Sequence, residues 1–327
     1  MKTKKLIIGL ILLFSMQSFS QSNSSYKPFS WTDTSMEKEL VYKTVEGHDI
    51  KANIFLPNTN GLHPVVIFFH GGGFVFGNRD QGLNVILKEK LLANNYAVVS
   101  ADYRLAPETK LDEILKDVSD IIKWIRLNGE QDFNIDTSKI VTAGGSAGGY
   151  LALSTGFNQK WAPNAIIAIS TPTGFSTANI QMGDLSVLNQ PGPYDIVKDT
   201  IVSYGDYDGR MRLWRFLAKN GLALYEIFGF DPAKEPEKLD KYTLSHNIKS
   251  GYPPTLIIHA KNDHLVDIEQ VNAFYEFLKE NKMESKLYLV ENGHSSKLIN
   301  QNPEAVDEII NFLNRQFNRL GYNAISY

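Results

Sequence analysis

The chain has 327 residues, with 33 Lys plus Arg against 36 Asp plus Glu, 43% hydrophobic residues and no cysteine. That composition excludes an intrinsically disordered chain, and the missing cysteine excludes disulfides, thiolate metal sites and a cysteine nucleophile. A formal charge of −3 offers no basic surface for nucleic acid or for an acidic membrane.

The N-terminus reads as a separate object. Lys2, Lys4 and Lys5 precede an apolar run over residues 6–14 and a small, polar stretch from Ser15 to Gln21, the layout of a secretory signal cleaved after Ser20. A membrane span needs about 20 apolar residues, and this run is half that. Loss of residues 1–20 removes three lysines and no acid, which moves the net charge from −3 to −6. The protein is therefore expected to be exported, periplasmic or secreted, without stable membrane insertion after cleavage. Residues 21–34 read as a loose leader, and residues 35–327 as one domain.

Within that domain, residues 38–44 and 48–56 alternate apolar and polar positions around Glu46-Gly47, which predicts an antiparallel pair at a sheet edge. Residues 65–69, 97–100, 140–143 and 165–169, and later 255–258 and 286–290, are short continuous apolar runs, the mark of strands buried on both faces. Helical spacing occupies residues 83–94, 111–128, 147–156, 268–281 and 303–319. In the second of these, Leu111, Ile114, Leu115, Val118, Ile121, Ile122 and Ile125 share one face. Alternating strand and helix predicts an α/β fold, a mostly parallel sheet flanked by helices on both faces. About 80 residues, 171–250, interrupt the alternation, where a crossover needs only a dozen or more. The surplus predicts an inserted cap over the strand ends, where such sheets bind ligands. Its aromatics, among them Tyr194, Tyr204, Tyr207, Trp214, Phe228 and Phe230, either line that site or pack the insertion's own core.

Gly144-Gly145-Ser146-Ala147-Gly148-Gly149 lies between a predicted strand and a predicted helix. A turn this tight exposes the serine hydroxyl and leaves no room for flanking side chains. A phosphate-binding loop would carry Lys after the glycines, and none follows. A serine needs a base to take its proton and a third group to orient that base. Of the seven histidines, His294 stands in the loop after the last strand, at the same sheet end as Ser146, and is the expected base. Asp263 follows the preceding strand and is the expected acid, while Asp267 reads as the cap of the next helix. His70-Gly71-Gly72-Gly73-Phe74 follows the first long buried strand, so Gly72 and Gly73, with Ala147, are the expected oxyanion donors. His70 competes as base but reads as a histidine bonding its own loop.

The stretches His70 to Gly77, Asp102-Tyr103-Arg104-Leu105-Ala106-Pro107-Glu108 and Gly144 to Gly149 together resemble the α/β-hydrolase esterases of the hormone-sensitive-lipase-like group. They also resemble the neighbouring acetyl and feruloyl esterases that act on acylated polysaccharides. The order Ser146, Asp263, His294 is that of α/β-hydrolases. Two positions depart from the hormone-sensitive-lipase-like pattern: Gly145 replaces an acidic residue, and His259-Ala260 replaces His-Gly. The resemblance implies that residues 102–108 support the oxyanion loop, with Arg104 paired to an acid.

With the export signal, a modest cap and no long apolar lid, the expectation is a secreted serine esterase that cleaves acetyl or small aromatic acyl groups from a carbohydrate or small alcohol; with no His-Glu-x-x-His in the chain, no cofactor and no metal are expected. Asp206-Tyr207-Asp208-Gly209 is too short for a calcium loop and reads as a turn. A serine exopeptidase of this fold would need an added domain, for which the N-terminal region has no room. A non-catalytic binding protein would be expected to lack one of Ser146, Asp263 and His294.

Overall fold

The computed structural model describes residues 36–175, 183–189 and 207–317. The signal and leader expected over residues 1–20 and 21–34 lie outside these, as do Tyr194, Tyr204 and Asp206. Strands β1 (Met36–Val45) and β2 (His48–Leu56) form a hairpin through Glu46 and Gly47, both at positive φ. Next come β3 (His63–Phe69), α1 (Arg79–Gly82), α2 (Val85–Ala93), β4 (Ala97–Ala101), α3 (Leu111–Phe133), β5 (Ile135–Gly145), α4 (Ala147–Ser154) and β6 (Ala165–Ile169). The insertion contributes α5 (Tyr207–Lys219), α6 (Ala223–Phe228) and α7 (Leu244–Asn247). The chain then returns through β7 (Thr255–Ala260), α8 (Ile268–Glu280), β8 (Ser285–Val290), α9 (Ser296–Gln301) and α10 (Glu304–Gln316).

The eight strands lie in the order β1-β2-β4-β3-β5-β6-β7-β8. The β1/β2 and β2/β4 pairs are antiparallel and every later pair is parallel. This is the expected α/β-hydrolase arrangement. Its two faces follow from the two-residue period of a strand. Val65, Ile67 and Phe69 of β3 pack with Ile121 of α3, Leu151 of α4 and Val271 of α8. Val66 and Phe68 belong to the opposite layer, with Leu87 and Leu91 of α2 and Ile309 of α10. Ile67 is fully buried, so truncating it to alanine should cost about 2–5 kcal/mol.

Several boundaries differ from the sequence reading. Helix α3 runs past residue 128 to Phe133, because Gly129 packs closely on Ile135 and the left-handed turn comes only at Asn134, φ 54°. Helix α2 starts later than residue 83, because the Asn84 side chain accepts from Leu87 N–H at 3.2 Å and so caps it. Strand β8 is not buried on both faces: it pairs only with β7 at the sheet's edge, and Leu289 is 38% exposed. Tyr207-Asp208-Gly209, expected in a turn, opens α5, where Asp208 suits the positive end of the helix dipole.

The insertion's aromatics divide between the two roles. Phe175, Phe228 and Tyr242 form a chain of ring contacts at 4.9 and 4.7 Å that reaches Tyr150 of α4. The Tyr150 hydroxyl donates to the Tyr242 carbonyl at 2.6 Å, which holds the insertion on the sheet. Tyr207 instead meets Phe76, in the loop after β3. No helix of the described residues is long and apolar enough to cross a membrane.

Candidate active site

Ser146 sits between β5 and α4 at φ 55°, ψ −125°, a region that costs a non-glycine residue about 1–3 kcal/mol. The surroundings enforce it. Its N–H donates to the Ile169 carbonyl of β6 at 2.9 Å, and its carbonyl accepts from Gly149 and Tyr150. A side chain at Gly148 would collide with the carbonyls of Phe69 and His70, so the helix can approach the end of β3 this closely only with glycine there. The serine therefore stands at the N-terminus of α4, facing the loop that follows β3.

That loop carries Gly72 at φ 115° and Gly73 at φ 58°. The Gly72 carbonyl accepts from Val75 and Phe76 N–H, both at 3.0 Å. The described hydrogen bonds include none from the N–H groups of Gly72, Gly73 or Ala147. A side chain at Gly71 would lie 3.3 Å from the Ser146 Cβ, so the loop and the turn that carries Ser146 are in direct contact. Trp214 of α5 packs its ring over Gly73, where an added Cβ would come within 2.8 Å of it.

Residues 102–108 lie beneath the loop, and their charges are paired. Arg104 forms a two-point ion pair with Asp117, 2.8 Å at each nitrogen, as the resemblance implied. Asp102 accepts from the backbone and guanidinium of Arg79 at 2.8 and 2.5 Å. Ala106 N–H donates to the Phe74 carbonyl at 2.9 Å. Arg210 of α5 reaches down to the Ala106 carbonyl at 3.0 Å and to Glu108 at 2.8 Å. His70 is fully buried, stacks on Tyr103 at 4.2 Å and bonds the Gly71 carbonyl through Nδ1 at 2.7 Å. Burial lowers its pKa, so the ring is a neutral strut of the loop.

Asp263 and His294 come together from the loops after β7 and β8. His294 Nδ1 lies 2.7 Å from Asp263 Oδ2, with the carboxylate fully buried and the imidazole 19% exposed. The other carboxylate oxygen accepts from Leu265 and Val266 N–H at 2.8 and 3.2 Å. Burial raises the Asp263 pKa, but the bonds from His294 and the two amides outweigh it and hold the carboxyl below its usual range. An ionised Asp263 fixes the proton of His294 on Nδ1 and leaves Nε2 as the acceptor. Asp267 caps α8 by accepting from Glu269 N–H at 2.9 Å. No direct bond joins Ser146 Oγ to His294 among the described residues; such contacts commonly tighten only when substrate arrives. A cavity of about 140 Å³ lies behind the loop after β3, lined by His70, Gly71, Gly72, Tyr207, Ser295 and Ser296 among others; Ser146, Asp263 and His294 do not line it.

Residues 52–278 match the model of the BD-FAE family. The chain belongs to that family. BD-FAE is a hormone-sensitive-lipase-like esterase family, whose reaction is carboxylic ester hydrolysis. Among solved structures, the chain is similar to a thermophilic esterase, Est2, of the Planctomycetes species Thermogutta terrifontis. For its native form the identity is 22%, with 85% of this chain and 92% of that chain covered and a TM-score of 0.60. For its propionate-bound form the identity is again 22%, with 90% and 97% covered and a TM-score of 0.62. These likenesses show the shared fold. Curated relatives include the non-reducing polyketide synthase atr1 of Stereocaulon alpinum, 26% identical over 73% of this chain. Another is the methylphloroacetophenone synthase of Cladonia uncialis, 35% identical over 42% of this chain. The chain spans only 11% and 6% of the length of those two proteins.

Proposed function

We propose that this BD-FAE member is an exported serine esterase that cleaves short acyl groups, acetyl or a small aromatic acyl, from a carbohydrate or small alcohol. The observation that carries the reaction is the 2.7 Å bond between buried Asp263 and His294, on loops beside a serine in the strained conformation of Ser146. Ser146 Oγ attacks the ester carbonyl carbon as its proton passes to His294 Nε2. The N–H groups of Gly72, Gly73 and Ala147 stabilise the oxyanion. Collapse of the tetrahedral intermediate expels the alcohol, which takes the proton from His294 and leaves the acyl group on Ser146. Water then gives a proton to His294 and attacks the acyl carbon; collapse of this second intermediate returns that proton to Ser146 Oγ and releases the acid.

The preference for short acyl groups is supported by Trp214 lying over Gly73, beside the proposed oxyanion donors. Est2 of Thermogutta terrifontis, similar in fold, has propionate-bound and butyrate-bound forms. Export is supported by the charged, apolar and small-residue order of residues 1–20.

The test is hydrolysis of p-nitrophenyl acetate, butyrate and octanoate and of methyl ferulate by protein starting at Gln21, beside Ser146→Ala. Turnover of the short esters should fall by orders of magnitude in the variant. Preference for octanoate would overturn the acyl assignment. Inactivity of wild type on every ester would overturn the esterase itself and direct the search to peptides. Export is checked by fractionating cells that express the full chain: retention of residues 1–20 on cytoplasmic protein would refute it.

A further inference from the structure

A second strained serine lies beside the first. Ser295 directly follows His294 and holds φ 51°, ψ −122°, almost the angles of Ser146. A residue stays in that region only when its neighbours over-determine it, and here the neighbours are the nucleophile turn and the end of β6. Ser295 N–H donates to Ser170 Oγ at 2.9 Å. Ser170 is itself fully buried, at φ 50°, with its N–H on the Ile258 carbonyl of β7 at 2.8 Å. The Ser295 hydroxyl lies against the backbone of Gly145, the residue before the nucleophile.

Gly145 gives the sharper clue. It is not among the positive-φ residues, so its backbone does not require glycine. What requires glycine is space: the three atoms nearest to an added Cβ are Oγ, Cβ and Cα of Ser295, and the first would overlap it. The two positions fill one volume, and they do so one residue away from His294 and one residue away from Ser146.

We propose that Ser295 is the positioning residue that sets His294 against Ser146, by seating its hydroxyl on Gly145 and tying its amide to Ser170. This rests on the reading of Ser146 and His294 as nucleophile and base. Ser295 touches no reacting atom in this role; it fixes the distance across which the proton must pass, where misplacement by about 1 Å can cost on the order of 10²-fold in rate.

The experiment measures kcat and KM on p-nitrophenyl butyrate, with thermal midpoints, for Gly145→Ala, Ser295→Gly, the double variant and Ser146→Ala. Gly145→Ala should lower kcat by on the order of 10²-fold with KM little changed, because the new methyl displaces the His294 loop. Ser295→Gly suits φ 51° better than serine does, so its midpoint should hold or rise while kcat falls about tenfold. In the double variant the alanine methyl enters the space the hydroxyl left, and kcat should recover well above that of Gly145→Ala. The fall in kcat of Ser295→Gly at an undiminished midpoint is what a merely structural role would not produce. Wild-type kcat in Ser295→Gly, or losses that simply multiply in the double variant, would overturn the proposal, and the first of these is decisive even if Gly145→Ala fails to fold. Full activity in Ser146→Ala would instead remove the reading on which it rests.

Discussion

The two halves of the site are built differently. The oxyanion half stands on charge that is buried and paired: Asp102 with Arg79, Asp117 with Arg104, and Arg210 with Ala106 and Glu108. The acid–base half is two loops at the sheet's edge. Apart from the Asp263–His294 bond, they are joined by the backbone bonds of Lys261 and Asn262 to Val290 and Glu291, at 2.9 and 3.0 Å, and by exposed side chains. Groups that must meet a developing charge gain from a scaffold that does not reorganise, and in the proposed reaction the first half supplies it. In the proposed reaction the second half accepts and returns a proton, and a few directional bonds aim it. Substitutions in the first half should therefore strike stability, and those in the second should strike rate.

The largest expected effect tests the second half. Asp263→Asn keeps the side chain's shape but presents an amide to His294, and kcat should fall about 10⁴-fold with the thermal midpoint nearly unchanged. A loss below tenfold would show that another group orients the base. Next is Asp117→Ala, which leaves buried Arg104 without its two-point partner and Lys43 without its 2.7 Å bond. Unfolding in urea should reveal a loss of about 3–5 kcal/mol, while the folded fraction keeps kcat near wild type. A fall in kcat with no change in stability would reverse the contrast between the halves.

A smaller effect concerns His70 and His259, two buried histidines that take no proton in the proposed reaction. Burial lowers the pKa of both His70 and His259. The unfolded chain titrates them near pH 6.5, so below that pH it binds protons that the folded state refuses. Stability should fall as pH drops from about 7.5 to 5.5, by at most about 1.4 kcal/mol per pH unit for each ring, and stay flat above. Asp263, with a depressed pKa, adds its own loss only below about pH 4. His259 faces Asp263 at 4.0 Å and bonds the Val266 carbonyl at 3.1 Å; His259→Gln should flatten the slope in urea titrations. An unchanged slope would place its origin elsewhere. The smallest effect is the control: Asp267→Ala removes a helix cap and should cost about 1 kcal/mol with kcat intact, and a large rate loss would make Asp267 rather than Asp263 the acid.

Much of this architecture was legible along the chain. The continuous apolar run of β3 marks a strand buried on both faces, and glycines around Ser146 are informative because the turn permits nothing larger. Asp263 and Asp267 could be separated in sequence because one stands in a loop and the other at the start of a helical repeat. What could not be read depends on contacts across long separations. Ser295 is one serine among several until Gly145, 150 positions earlier, is seen against it. Trp214 covers Gly73, and Arg210, one turn earlier on α5, bonds Ala106 and Glu108, contacts that no local pattern shows. The packing of Gly129 against Ile135, through which α3 continues, is likewise invisible locally.

The helix that begins after Ser146 has a further consequence. All eight residues of α4 are buried, so it has no solvent-facing side from which to fray. Its amide protons should exchange with deuterium only when the whole domain opens. Catalytic competence and global unfolding are then one event for this half of the site, and the half-life of activity on heating becomes a direct reading of the unfolding rate.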